Sequence, residues 1–255
     1  IEYGVPQGSV LGPILFILYI NTVCDLNIDG KIVTYADETC LLFSDKCWEG
    51  VYFKATKGLH LTYKCTSELG LTMNSDKTTY MKLSINKTTY GEFPLIIHNC
   101  QNQLICNMQD CKQINQVSKI RYLGIIFDNN LRWNFHIHNL VGKLRYSLHK
   151  FILLKDILPV ETLRTIYFAF YQSICQYGLL VWGGVKDNVL KMLQTNQNNI
   201  LRIILNRKSL VGSTKVNYIE LGVLPIRYLY KKFAILFKIK KIMNINNNNR
   251  HLREH

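Results

Sequence analysis

Asp37 and Glu38 stand side by side between two short runs of β-branched and apolar residues, Lys31 to Tyr35 and Thr39 to Phe43. Carboxylates held this close repel unless a cation sits between them, so the pair points to a divalent metal. Mg2+ fits: it takes a few carboxylates and completes its shell with water and substrate phosphate, the arrangement of two-metal phosphoryl transfer. An ordinary acidic turn accounts for the same two residues. Other groupings carry less. Cys100, Cys106 and Cys111 have spacings that match no common zinc finger, and no paired histidine follows, so scattered thiols and no structural zinc are expected. His136 and His138 would lie about 200° apart on a helix, which suits a helix entry better than a shared metal. Tyr167, Phe168, Phe170 and Tyr171 alternate with Ile166 and Ala169, a pattern that fits a core better than a base-stacking platform.

The elements that must position these groups follow from punctuation and period. Gly4, Pro6, Gly8, Gly12 and Pro13 mark a loop, and Ser9 can cap the apolar helix over Ile14 to Ile20. The runs flanking Ala36-Asp37-Glu38 predict a hairpin with the carboxylates at its tip. Trp48 to Leu69 repeats apolar residues at helical spacing and ends at Gly70. Strands are expected over Thr79 to Ser84 and Arg121 to Asp128, with loop and hairpins over Asn86 to Ser118. Beyond these the chain reads as helix. One apolar face comprises Leu140, Leu144, Leu148, Phe151 and Ile152, and a second Leu163, Ile166, Tyr167, Phe170 and Ile174. A third runs from Val189 to Ile204, and a basic fourth helix covers Tyr228 to Met243. The asparagine run at 246–249 and the residues after it, to His255, are expected to be a disordered tail.

Charge divides the same chain. Residues 1–128 hold 11 Lys/Arg and 12 Asp/Glu, whereas residues 129–255 hold 20 and 5, so all of the net +14 belongs to the second part. Two modules are expected, with a boundary near Asn129, and the cationic one invites a polyanion. The longest apolar run, Ile14 to Ile20, is too short for a bilayer span of about 20 residues and lacks signal-peptide flanks. Eight cysteines at irregular spacing suit a reduced compartment. No membrane partner and an intracellular location, nucleus and cytoplasm, are therefore expected. Ile1 is expected to lie inside a longer polypeptide.

Gly4-Val5-Pro6-Gln7-Gly8-Ser9-Val10-Leu11-Gly12-Pro13, the apolar helix and Tyr35-Ala36-Asp37-Glu38-Thr39 together resemble the polymerase core of reverse transcriptases of non-LTR (LINE-type) retrotransposons. Leu71-Thr72-Met73-Asn74-Ser75-Asp76-Lys77-Thr78 resembles the family's Asn-x-x-Lys-Thr element, Tyr122-Leu123-Gly124-Ile125 to Asp128 its primer-grip hairpin, and Leu131-Arg132-Trp133 to Lys143 the start of its thumb. Tyr177-Gly178 with Val181-Trp182-Gly183, and Gln197 to Ile204, resemble segments beyond the thumb.

The resemblance implies an α+β fold: an incomplete right-hand polymerase palm over residues 1–128, then a mostly helical, basic thumb and connector over 129–255. It implies an RNA-directed DNA polymerase using an RNA template, a DNA primer, dNTPs and Mg2+, with Asp37 and Glu38 holding metal and Lys77 assisting the leaving pyrophosphate. Gln7, Gly8, Ser9 and Asn74 would contact nucleotide or template, and Tyr122, Leu123 and Gly124 would grip the primer. Gly8 would let a base pair approach the backbone and Gln7 would offer amide donors and acceptors.

Two departures matter. The family has a second aspartate where this chain has Glu38, one methylene longer. The family's fingers and a further metal-binding aspartate precede the stretch that begins at Gly4, so the two-metal site is incomplete and the segment alone is expected to be inactive. A non-catalytic nucleic-acid-binding remnant is the alternative.

Overall fold

The computed structural model describes residues 8–84, 94–98, 111–207 and 213–251, with side chains to residue 244. The chain forms two compact units, 1–118 and 119–255, each built around its own core.

The first unit mixes helix and strand. Helix α1 (Gly12–Ile20) starts with Pro13 in its first turn, where a missing N–H costs nothing. The N-cap is Leu11, with no side-chain cap, rather than the expected Ser9; from two residues further out, Ser9 Oγ accepts the Gly12 N–H at 3.1 Å. None of the helix is buried, and Ile14, Ile17 and Leu18 are each more than half exposed. Strands β1 (Lys31–Tyr35) and β2 (Glu38–Leu42) pair antiparallel. Helix α2 (Trp48–Glu68) follows, capped by the Cys47 thiol and stopped at Gly70, which takes a left-handed φ of 69°.

The core of this unit is small: Tyr52, Ala55 and Leu59 of α2 meet Leu95, Ile97 and Ile114. Phe43 lies against α2 where Gly58 leaves room, since a Cβ there would sit 2.5 Å from its ring. The strand expected over Thr79 to Ser84 shortens to β3 (Thr79–Tyr80). It pairs parallel with β6 (Asn115–Gln116), while β4 (Ile96–Ile97) pairs antiparallel with β5 (Lys112–Gln113).

The second unit begins with a hairpin, β7 (Lys119–Tyr122) and β8 (Ile125–Asp128). The apolar run from Arg121 to Asp128 is thus two strand ends folded about Leu123 and Gly124. Lys119 Nζ lies 3.6 Å from the centroid of the Phe135 ring, a cation–π contact between β7 and the start of the next helix. Packing therefore changes hands between Ser118 and Lys119, ten residues before the charge does.

Helix α3 (Asn134–Leu154) buries Ile137, Leu140, Val141, Leu144 and Phe151 against α7 (Asp187–Ile204), which contributes Leu190, Leu193, Ile200, Leu201 and Ile204. Ile152, expected on the apolar face of α3, is exposed instead. Between them run α4 (Val160–Ile166), a π-helical turn (Tyr167–Gln172), α5 (Ser173–Gln176) and α6 (Leu179–Trp182).

The wider π turn resets the helical phase. Tyr167 and Tyr171 are buried and stacked, 5.1 Å between ring centroids, whereas Phe170, expected on the same apolar face, is exposed. Helix α8 (Thr214–Leu221), with Ser213 as its N-cap, carries no clear periodicity and is not among the expected helices.

Helix α9 (Ile226–His251) begins two residues earlier than expected and continues through the asparagine run that reads as a tail. Asparagine is a weak helix former rather than a breaker, and no glycine or proline stands there to stop the helix. Among the described residues no helix is long and apolar enough to cross a membrane.

Candidate functional site

The two carboxylates sit on the β1–β2 hairpin, with one adjustment to the expected geometry. Tyr35 pairs with Glu38, so Ala36 and Asp37 alone form the turn and Glu38 is the first residue of β2. Ala36 adopts φ 51°, a left-handed conformation that an alanine takes only where its surroundings require it. Asp37 and Glu38 are both exposed. Beside this turn a cleft of about 370 Å³ is lined by Ile17, Ile20 and Asn21 at the end of α1 and by Thr34, Tyr35 and Ala36. The apolar helix and the acidic turn, far apart in composition, thus share one concavity.

Among the described residues no third His, Cys, Asp or Glu joins a pair to make a ready metal cluster. Asp37 and Glu38 nevertheless suit a hard divalent cation: two exposed oxygen donors leave room for the waters and phosphate oxygens that Mg2+ retains. Gly8 has φ 83°, and among the described residues nothing lies within 4 Å of where a Cβ would be. Ser9 Oγ already accepts the Gly12 N–H. Gln7 lies outside the described residues.

Asn74 and Lys77 belong to one tight turn. Asn74 Oδ1 accepts the N–H groups of Asp76 and Lys77, both at 3.1 Å, and its carbonyl accepts from the Thr78 hydroxyl at 2.7 Å. This Asx turn fixes where Lys77 leaves the chain, and Lys77 itself is exposed. Cys111 Sγ lies 3.5 Å from His98 Nδ1, while Cys100 and Cys106 lie outside the described residues.

In the second unit Leu123 and Gly124 form the β7–β8 turn with φ 46° and 76°. Two successive left-handed residues match the right-handed twist of a two-residue hairpin. The turn after β8 is held by Asp128, a buried carboxylate that accepts N–H groups from Asn130, Arg132 and Trp133 at 3.2, 3.0 and 2.8 Å. It holds Leu131 and Trp133 at φ 50° and 66° and so sets the angle at which α3 departs. His136 is buried, and its Nδ1 accepts the Ile126 N–H at 3.3 Å. Burial, and then the positive charge of Lys143, hold its pKa below the usual histidine value. His138 is exposed, so the two histidines do not converge.

Deeper in this unit Gln197 is fully buried and fully bonded. Its Nε2 donates to Tyr167 Oη at 2.9 Å and to the Leu224 carbonyl at 3.0 Å, and its Oε1 accepts from Tyr218 Oη at 3.1 Å and Ile226 N–H at 3.2 Å. Burial pushes the Tyr167, Tyr171 and Tyr218 hydroxyls well up, so all three stay protonated. Asp128, His136 and Gln197 are not legible in the sequence as structural anchors, because a single polar residue beside apolar ones gives no periodic signal.

Residues 1–127 match the family of reverse transcriptases (RNA-dependent DNA polymerases). Over 84% of its length the chain is 25% identical to the probable RNA-directed DNA polymerase from transposon X-element of Drosophila melanogaster. It is 25% identical over 80% of its length to the RNA-directed DNA polymerase from mobile element jockey of Drosophila funebris. A type-1 retrotransposable element R1 2 polyprotein of Nasonia vitripennis matches 58% of the chain at 25% identity. The matched region is 23% of the X-element protein, 22% of the jockey protein and 34% of the R1 2 polyprotein. No solved structure matches.

Proposed function

We propose that this chain, which carries RNA-directed DNA polymerase sequence of the non-LTR retrotransposon type, supplies the metal-holding turn and a nucleic-acid-gripping helical part to a polymerase that copies RNA into DNA. The observation that carries the reading is the β1–β2 turn. It lies inside the stretch that matches the reverse transcriptase family, and Tyr35 and left-handed Ala36, the residues just before Asp37 and Glu38, line a cleft.

In this reading Asp37 and Glu38 hold Mg2+, which when bound neutralises charge on the phosphates and activates the attacking 3′ hydroxyl. Lys77, fixed by the Asn74 turn, offers a cation or a proton to departing pyrophosphate. Gln7, Gly8 and Ser9 border template and incoming nucleotide. Tyr122, Leu123 and Gly124 meet the primer end, and the basic second unit grips the duplex backbone. Residues 1–128 serve as part of a palm and residues 129–255 as thumb and connector.

One observation favours a second reading, a nucleic-acid-binding remnant without catalysis. The extra methylene of Glu38 displaces its carboxylate by about 1.5 Å, in a kind of site that tolerates about 0.5 Å. No third carboxylate joins the pair among the described residues.

A chimera separates the two readings: the chain replaces the matching stretch of the Drosophila funebris jockey polymerase. Mg2+-dependent dNTP incorporation on primed RNA, abolished by Asp37→Ala and raised by Glu38→Asp, is the expected result. Incorporation only with Glu38→Asp establishes the remnant, and no incorporation with either residue contradicts the assignment of the turn. The chain by itself is expected not to polymerise.

A further inference from the structure

The Tyr177-Gly178 and Val181-Trp182-Gly183 segments have no part in the site described so far, yet their contacts converge on one place. Leucine in the left-handed region carries a steric cost, so Leu123 at φ 46° must be held there by its surroundings. Tyr177 Oη donates to the Leu123 carbonyl at 2.6 Å. Its ring faces Gly124 so closely that a Cβ at 124 would lie 3.4 Å away. Tyr177 is 57% exposed, so filling a core does not account for its ring.

The next residues tighten the same grip. Gly178, at φ 62°, leaves the space that Ile125 occupies, since a Cβ there would meet Ile125 Cδ1 at 2.4 Å. Trp182 Nε1 donates to the Tyr177 carbonyl at 3.0 Å. The Trp182 ring packs 5.5 Å from His136, which accepts from Ile126. The hairpin is therefore met at Leu123 by Tyr177, at Ile125 by Gly178 and at Ile126 by His136, with Trp182 bonded to the Tyr177 carbonyl and packed on the His136 ring.

We propose that Tyr177 is a positioning residue that fixes the Leu123–Gly124 tip as a rigid surface for a primer end; the inference rests on reading that hairpin as the primer contact. A hydrogen bond to the carbonyl and a ring against the glycine remove the two easiest motions of the turn, peptide rotation and tip displacement. A fixed tip loses little freedom on meeting a strand end, and preorganisation of this kind raises affinity for that end alone.

The full chain is titrated with an RNA–DNA hybrid carrying a recessed DNA 3′ end and with an uninterrupted hybrid of equal length, while amide resonances of Leu123 and Gly124 are followed by NMR. The wild type should prefer the recessed end. Tyr177→Phe, which removes only the hydroxyl, should shift both resonances and lower affinity for the recessed end about fivefold, the ratio one net hydrogen bond supports. Its affinity for uninterrupted hybrid should not change. Gly124→Ala perturbs the same turn with Tyr177 intact and should cause the same selective loss. A Tyr177→Phe protein that keeps the preference overturns the positioning role while leaving the hairpin as primer contact. A wild type without any preference overturns the primer-contact reading, and the positioning role with it.

Discussion

The imidazole Nδ1 of buried His136 accepts the backbone N–H of Ile126 at 3.3 Å, fastening strand β8 to helix α3. Only the neutral ring can accept, and burial together with Lys143 holds the folded-state pKa below the usual value near 6.5. The unfolded chain then takes up the proton more readily than the folded one as pH falls. Stability contributed by the neutral ring is complete above about pH 6.5 and is lost as pH drops through the lower folded pKa. Thermal unfolding between pH 7.5 and 5.5 should show a falling midpoint in the wild type. The slope should flatten in His136→Gln, and an equal slope in both proteins would remove His136 as its source.

Gln197 should be among the most costly polar residues to replace. Truncation to Ala strips partners from Tyr167 Oη, the Leu224 carbonyl and the Ile226 N–H, all gathered around one fully buried side chain. Each buried group left unpaired costs about 1–3 kcal/mol, so a loss of about 3 kcal/mol or more is expected from urea denaturation. Gln197→Glu should also destabilise, because its carboxylate cannot donate to Tyr167 or Leu224. A change within about 0.5 kcal/mol, the ordinary surface range, would contradict the hub.

Asp128 makes a graded prediction. Oδ1 serves Asn130 and Arg132 and Oδ2 serves Trp133. Asp128→Asn can keep the first two contacts but turns an amide donor toward the Trp133 N–H, whereas Asp128→Ala loses all three. Stability should therefore fall in the order wild type, Asn, Ala, with the Ala variant down by about 2 kcal/mol or more. Trp133 fluorescence should shift to the red as its ring, 5.2 Å from Phe127 between centroids, loses its setting.

The residues that reveal this much in the sequence do so for a physical reason. Glycine and proline punctuate α1 and the stop of α2, and apolar faces at helical spacing mark α3 and α7, because local rules alone decide those features. The carboxylate hairpin is legible from two β-branched runs, although its turn is one residue tighter than the pattern suggests. The π turn at Tyr167 is not legible, since a helix that gains a residue shows the same composition before and after. Nor is α8, too short and too weakly amphipathic to stand out. Tyr177-Gly178 stands out in the sequence by its resemblance to the family alone, and its contact with Leu123, 54 positions earlier, gives no local signal.

Residues 119–255 carry 22 Lys/Arg against 6 Asp/Glu, and affinity of the chain for an RNA–DNA hybrid should follow that charge. Neutralised phosphates release counterions, so log affinity should fall linearly with log salt, by about 0.9 for each phosphate engaged on a duplex. Binding isotherms at three salt concentrations check this. Replacing Lys238, Lys240 and Lys241 of α9 together with Gln should reduce the slope. Binding that ignores salt would show that the basic unit does not grip backbone.

The assignment of the β1–β2 turn is tested most directly by Mn2+ titration of the isotopically labelled chain, with paramagnetic broadening read residue by residue. Two exposed carboxylates that leave most of the shell to water should bind weakly, so broadening should centre on Ala36 to Thr39 at about millimolar metal. It should disappear in Asp37→Asn and weaken in Glu38→Gln. Broadening that centres elsewhere, or that survives Asp37→Asn unchanged, would contradict the claim that this turn holds the metal.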